Sequence, residues 1–162
     1  MTSAANRSGT GVDVAMRIVL WLLIGIWLGG FCFFPVMANT AFGSLPSADA
    51  GLVVGPMLAV LHSYGAVAGL VLAGLSRWMG RGTLANLLPL GLGLLCLYSH
   101  FGVTAEIGEI RDQVFGPTGN SEVAARFNLL HQRSINIFTT VTLGVAVLVG
   151  VHARFDSRRG AV

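Results

Sequence analysis

Lysine is absent from this chain of 162 residues, and charge of any kind is scarce: 10% of residues are charged against 54% hydrophobic. A soluble domain carries about a quarter of its residues charged, so the composition speaks against a water-soluble enzyme. Cysteine is nearly missing too. Two Cys and four His are too few for a disulfide scaffold or a zinc ribbon. Nor does the sequence hold a phosphate loop, a nucleophile elbow or a pair of catalytic carboxylates. What it has in quantity is glycine, 22 residues, and a mean hydropathy of +0.74.

The few charges leave four long gaps: Ile18–Ala48, Ala50–Ser76, Gly82–Ala105 and Ser134–Ala153. Each can hold the ~20 apolar residues that cross ~30 Å of hydrocarbon at 1.5 Å rise per residue. Lipid offers the backbone no hydrogen-bond partners, so these segments are expected to be helices. The sequence therefore predicts an all-α, integral-membrane four-helix bundle with up-down topology. Its spans lie near 16–38, 52–76, 84–105 and 132–153, within a single transmembrane domain over 16–153. A polar N-terminal tail, 1–15, and a basic C-terminal tail, 154–162, flank it. The first span has the general layout of a secretory signal, but Ile18–Phe34 exceeds the usual h-region of 7–15 residues. A retained helix is expected.

With four spans, both tails and the 77–82 turn share one side. They carry Arg7, Arg17, Arg77, Arg81, Arg154, Arg158 and Arg159 against Asp13 and Asp156. The other side carries Arg111, Arg126 and Arg133 against Asp49, Glu106, Glu109, Asp112 and Glu122. Arginine-rich loops stay cytoplasmic, which predicts an inner-membrane protein with both termini inside. The basic excess is then a topology signal and a contact with anionic headgroups, not a mark of nucleic-acid binding.

Helices in lipid associate through close approach and polar contacts. Gly25-x-x-x-Gly29 in the first span and Gly65-x-x-x-Gly69-x-x-x-Ala73 in the second each line up small residues for such packing. Pro35, Pro56 and Pro89 are expected near span ends, Pro56 in the first turns of its helix. Beyond Ala105 the amphipathic pattern continues through Ile107, Ile110 and Val114 to the breaker Gly116-Pro117-Thr118-Gly119. Asn120 or Ser121 can cap the next helix, where Val123, Phe127 and Leu130 continue an apolar face. The third and fourth helices are thus expected to extend beyond the bilayer as a hairpin. A turn centred near residue 118 would bring Asp112 to Arg126, and Glu106 to His131 or Arg133. Such exposed pairs contribute little to stability.

Two histidines, His62 and His100, fall inside spans, where an ionisable side chain is costly and a natural functional candidate. His131, Arg133, Asn136 and Thr140 make a polar stripe at the outer entrance of the fourth span, close to Glu106 and Glu109. Such a cluster could hold a metal ion, relay protons or ligate a haem or chlorophyll-type pigment through imidazole. No cofactor is predicted, and His62 and His100 are the residues that would take a pigment if one is bound. Helix rise places His100 roughly 9 Å further out than His62, which speaks against one shared site. Neutral hydrogen-bonded histidines are the simpler expectation, His152 is expected at headgroup level, and Cys32 and Cys96 read as single apolar-type thiols.

The stretch Phe127-Asn-Leu-Leu-His131-Gln-Arg-Ser134-Ile-Asn136 resembles the F-x-x-L-H-x-x-S signature of the DUF4149/TMEM205-like membrane family. That pattern's asparagine falls later than Asn136. Glu109-Ile-Arg111 resembles the family's arginine after the third span. Gly29-Gly30, Pro35 and Asp49-Ala-Gly51 resemble its first helix and exit loop. The resemblance covers roughly residues 18–153. It implies a small four-span protein with both termini inside and singles out His131, Ser134 and Arg111. The functional expectation is a non-enzymatic accessory or structural subunit of a membrane assembly, packed against partner subunits or further copies of itself. A proton or metal-ion transporter or channel component, built on the outer polar cluster, and a pigment-binding bundle are the alternatives.

Overall fold

A computed structural model describes residues 5–115 and 121–159, with side chains for 11–115 and 121–158. Every element among them is helical: α1 (Ala5–Ser44), α2 (Ser47–Trp78), α3 (Thr83–Tyr98), a π-helical segment (Ser99–Thr104), α4 (Ala105–Phe115) and α5 (Ser121–Arg159). Together, α3, the π segment and α4 form one continuous rod. The result is an all-α four-helix bundle whose helices are all long and apolar enough to cross a membrane. The rod over 83–115 has 33 residues and the last helix 39, well beyond the ~20 a bilayer needs. The expected breaker at 116–119 and the cap at Asn120 lie outside the described residues.

The core is built from stripes spaced three and four residues apart. On α1 these are Leu20, Ile24, Trp27 and Phe31; on α5, Ser134, Val141, Val145, Leu148 and His152. Phe138 completes the α5 stripe by stacking on Phe31, with ring centroids 4.7 Å apart. The opposite faces present Leu22, Ile26, Val60, Val67, Leu94 and Leu143 outward. Only 22–33% of each hydrophobic span is buried. An apolar exterior of that extent suits lipid as the surrounding medium.

Glycine sets the distance between α2 and α3. A Cβ on Gly69 would run into the Pro89 carbonyl oxygen and stand 2.9 Å from Gly93 Cα, and one on Gly65 would stand 2.7 Å from Cys96 Sγ. The stripe read from the sequence on α2 is therefore a packing seam. Its counterpart on α1 is not: Gly25 and Gly29 are exposed, with nothing within 4 Å of an added Cβ. The prolines also depart from expectation. Because α2 starts at Ser47, Pro56 sits in its third turn, and Pro35 and Pro89 likewise lie inside helices.

Candidate functional site

The antiparallel pairing of α2 and α3 decides where the intramembrane histidines sit. Gly69 meets Gly93, and Gly65, one turn earlier on α2, meets Cys96, about one turn later on α3. One further turn along both helices brings His62 opposite Ser99 and His100. The two histidines therefore lie at the same level, within electrostatic range of each other. The 9 Å offset expected from span midpoints is corrected: it assumed that the two spans are centred on each other, whereas the glycine seam sets the offset.

His62 is fully buried, its ring edge-on to Phe31 at 6.0 Å. Toward Gly65 the space is filled by Cys96 and by the Trp27 indole, whose Nε1 would stand 2.9 Å from a Cβ there. Six buried polar atoms around this point have no hydrogen-bond partner: Trp27 Nε1, His62 Nδ1 and Nε2, Ser99 Oγ, His100 Nδ1 and Thr104 Oγ1. Three of these side chains belong to the π segment, Ser99–Thr104. A π turn inserts an extra residue into the helical ladder and recurs at functional positions. The nearby Tyr64 is satisfied, its hydroxyl donating to the Leu23 carbonyl at 3.0 Å.

A second polar cluster closes the opposite end of the bundle. Gly80, at φ 64°, ends α2: its N–H donates to the Arg77 carbonyl and the next N–H, of Arg81, to the Ser76 carbonyl. This is the pairing of a Schellman motif, and it turns Arg81 back over the core. There Arg81 Nη2 meets Asp156 Oδ1 at 2.5 Å, Arg81 Nη1 meets His152 Nδ1 at 2.7 Å, and Trp21 Nε1 donates to Asp156 Oδ2 at 3.0 Å. A guanidinium can only donate, so His152 accepts through Nδ1 and is the neutral Nε2–H tautomer. The cluster joins α1, the α2–α3 turn and α5. Arg81 keeps its expected place in the 77–82 turn, and it and His152 are both buried in the bundle.

The outer residues singled out from the sequence are not drawn into one site. His131, Arg133 and Asn136 are exposed on α5, and only Ser134 points into the bundle. The His131 ring stacks parallel on Phe127, while Asn136 Oδ1 accepts from Gln132 Nε2 at 3.2 Å. Glu106 pairs with Arg126, through Nε at 2.6 Å and through Nη2, in place of the expected His131 or Arg133. Asp112 pairs with its neighbour Arg111 at 3.5 Å instead of with Arg126. Arg111 also lies along α2, its Cδ 3.5 Å from the Cβ position of Gly51. Among the described residues no three His, Cys, Asp or Glu side chains are grouped to hold a metal ion. One surface groove runs along Arg17, Trp21 and Asp156 and another along Glu106, Arg126 and Arg133, and neither is lined by His62 or His100.

Residues 22–115 match the family model described as Domain of unknown function (DUF4149). The chain belongs to this family. No curated protein and no solved structure matches it. The DUF4149 match covers Trp27, His62, the whole π segment and Arg111, and stops short of His131 and Ser134. The sequence flags His62 and His100 singly, but neither their shared level nor the Trp27 indole beside Gly65. Inside the DUF4149 stretch the usable signal was the spacing Cys96, Ser99, His100, Thr104, which keeps polar atoms on one side of the rod. The Arg81 cluster left a fainter trace: Asp156 is one of two acids on an otherwise basic side.

Proposed function

We propose that this DUF4149 protein is a non-enzymatic accessory subunit of a membrane assembly, held in a bacterial-type inner membrane with both termini cytoplasmic. The single observation that carries the reading is the outward polar face of α5. Gln132, Asn136 and Thr140 are exposed at positions that the fourth span would place in the outer leaflet. Polar side chains at that depth are costly against lipid and serve to join helices. The outward Gly25 and Gly29 of α1, the helix packed beside α5 through Phe31 and Phe138, extend this surface. The occupant it fits is a transmembrane helix of a partner subunit, carrying small residues against α1 and a hydrogen-bonding side chain against Asn136. The segregation of arginine toward the termini supports the orientation.

The test is mild detergent extraction of the tagged full-length chain from its native membrane, followed by native mass spectrometry. A distinct membrane protein should co-purify and should be lost from Asn136→Leu and Gly25→Ile, both of which leave the bundle interior untouched. Recovery of a monomer alone, or of a homo-oligomer alone, would overturn the partner-subunit reading.

A further inference from the structure

We propose that the bundle encloses a site for a small cluster of water molecules between α1, α2 and the π segment, bound by Trp27, His62, Ser99, His100 and Thr104. The first ground is hydrogen-bond accounting. Five buried polar atoms without partners, on Trp27, His62, Ser99 and His100, lie within about one helical turn of the His62 level, and Thr104 Oγ1 follows about one turn further along the rod. The combined penalty of leaving them all unmade is large against the marginal stability of a small domain. A buried water typically makes about three hydrogen bonds, so about two waters would satisfy this set.

The chemistry of the atoms selects the ligand. The Trp27 indole can only donate, each neutral imidazole offers one donor and one acceptor, and the Ser99 and Thr104 hydroxyls do either. A cation would leave the indole unmatched and an anion would leave the acceptors unmatched; water serves both kinds. The described residues also contain no metal-ligand grouping. The second ground is geometric. The backbone of 99–104 leaves the α-helical ladder at the level of His62, where a π turn widens the helix and loosens its carbonyls.

The site opens toward one end only. Toward the Arg81 cluster it is sealed by Cys96 and Trp27 against Gly65, and then by Pro89 and Gly93 against Gly69. Toward the α4–α5 hairpin, His100 and Thr104 are half-buried, and this is the end from which water would reach His62.

The full-length chain, uniformly 15N-labelled and in lipid nanodiscs, provides the test. Three indole N–H resonances are available, from Trp21, Trp27 and Trp78. The Trp27 resonance should show a direct cross-peak to water although its side chain is fully buried, and His62→Phe should weaken that cross-peak severalfold. A wild-type Trp27 indole with no water cross-peak, exchanging in D2O as slowly as the amides of Leu92 and Val145, would overturn the site. A cross-peak that His62→Phe leaves unchanged in a folded variant would overturn the assignment to His62.

Discussion

Arg81 and His152 are 71 residues apart in the chain, yet the guanidinium donates to the imidazole Nδ1 at 2.7 Å inside the bundle. Asp156 supplies the compensating charge at 2.5 Å. Arg81 is buried to 1% side-chain exposure, whereas Asp156 keeps 22%, and this asymmetry governs how the two substitutions differ.

Asp156→Asn removes the carboxylate 2.5 Å from a buried guanidinium and should cost about 3 kcal/mol. Arg81→Met strands a carboxylate that still receives the Trp21 indole and reaches water, and should cost about 1.5 kcal/mol. The double variant should be far less destabilised than the sum. Thermal unfolding in one detergent, followed by circular dichroism, measures all three, and an additive double variant would refute a coupled pair.

The outer ion pair should behave differently. Arg126 is exposed and Glu106 partly so, at 65% and 31% of their side-chain surface. Glu106→Gln is therefore expected to change stability by less than about 1 kcal/mol, and the small difference should shrink further at high salt. A melting-temperature drop comparable to that of Asp156→Asn would contradict this.

Two glycine-to-alanine changes separate the packed seam from the open face. Gly69→Ala forces a methyl group against the backbone of α3 and should cost about 2 kcal/mol. Gly25→Ala meets open space and should leave the melting temperature unchanged or slightly raised, since alanine is the better helix former by about 1 kcal/mol. Equal effects at the two positions would show that the α2–α3 contact is mis-assigned.

Gly80→Ala is expected to destabilise by about 1 kcal/mol, because a Cβ is disfavoured at positive φ. The same unfolding assay reads it, and a neutral result would mean that the Schellman turn does not fix Arg81.

The four helices were legible because charge gaps and lipid chemistry leave little choice of structure. Gly65 and Gly69 were legible as well, since a continuous small stripe forms a seam. Gly25 and Gly29 have the same spacing and face outward, because spacing says nothing of which neighbour a face meets. The depth of His62 relative to His100 was beyond reach for a related reason. It depends on the offset between two helices, which the contact of Gly69 with Pro89 and Gly93 fixes and no single span contains. The expected pairing of Glu106 with His131 or Arg133 failed by the same kind of error: Glu106 meets Arg126 instead, a slip of a few residues in the hairpin. Arg81 and Asp156 were legible only as charges on the same side of the membrane, because their contact needs three elements to converge.

The closing of the Arg81 cluster also imposes an order on biosynthesis. Asp156 is translated 75 residues after Arg81, when α1, α2 and α3 have already emerged. Until then the arginine lacks the Asp156 carboxylate, and a cation without that partner is costly within hydrocarbon. The α2–α3 hairpin must therefore enter the bilayer with Arg81 still held at its aqueous edge. Docking of α5 is then the step that draws the side chain inward. Maturation ends at the Arg81 cluster, and a ribosome-bound intermediate should leave this arginine open to water.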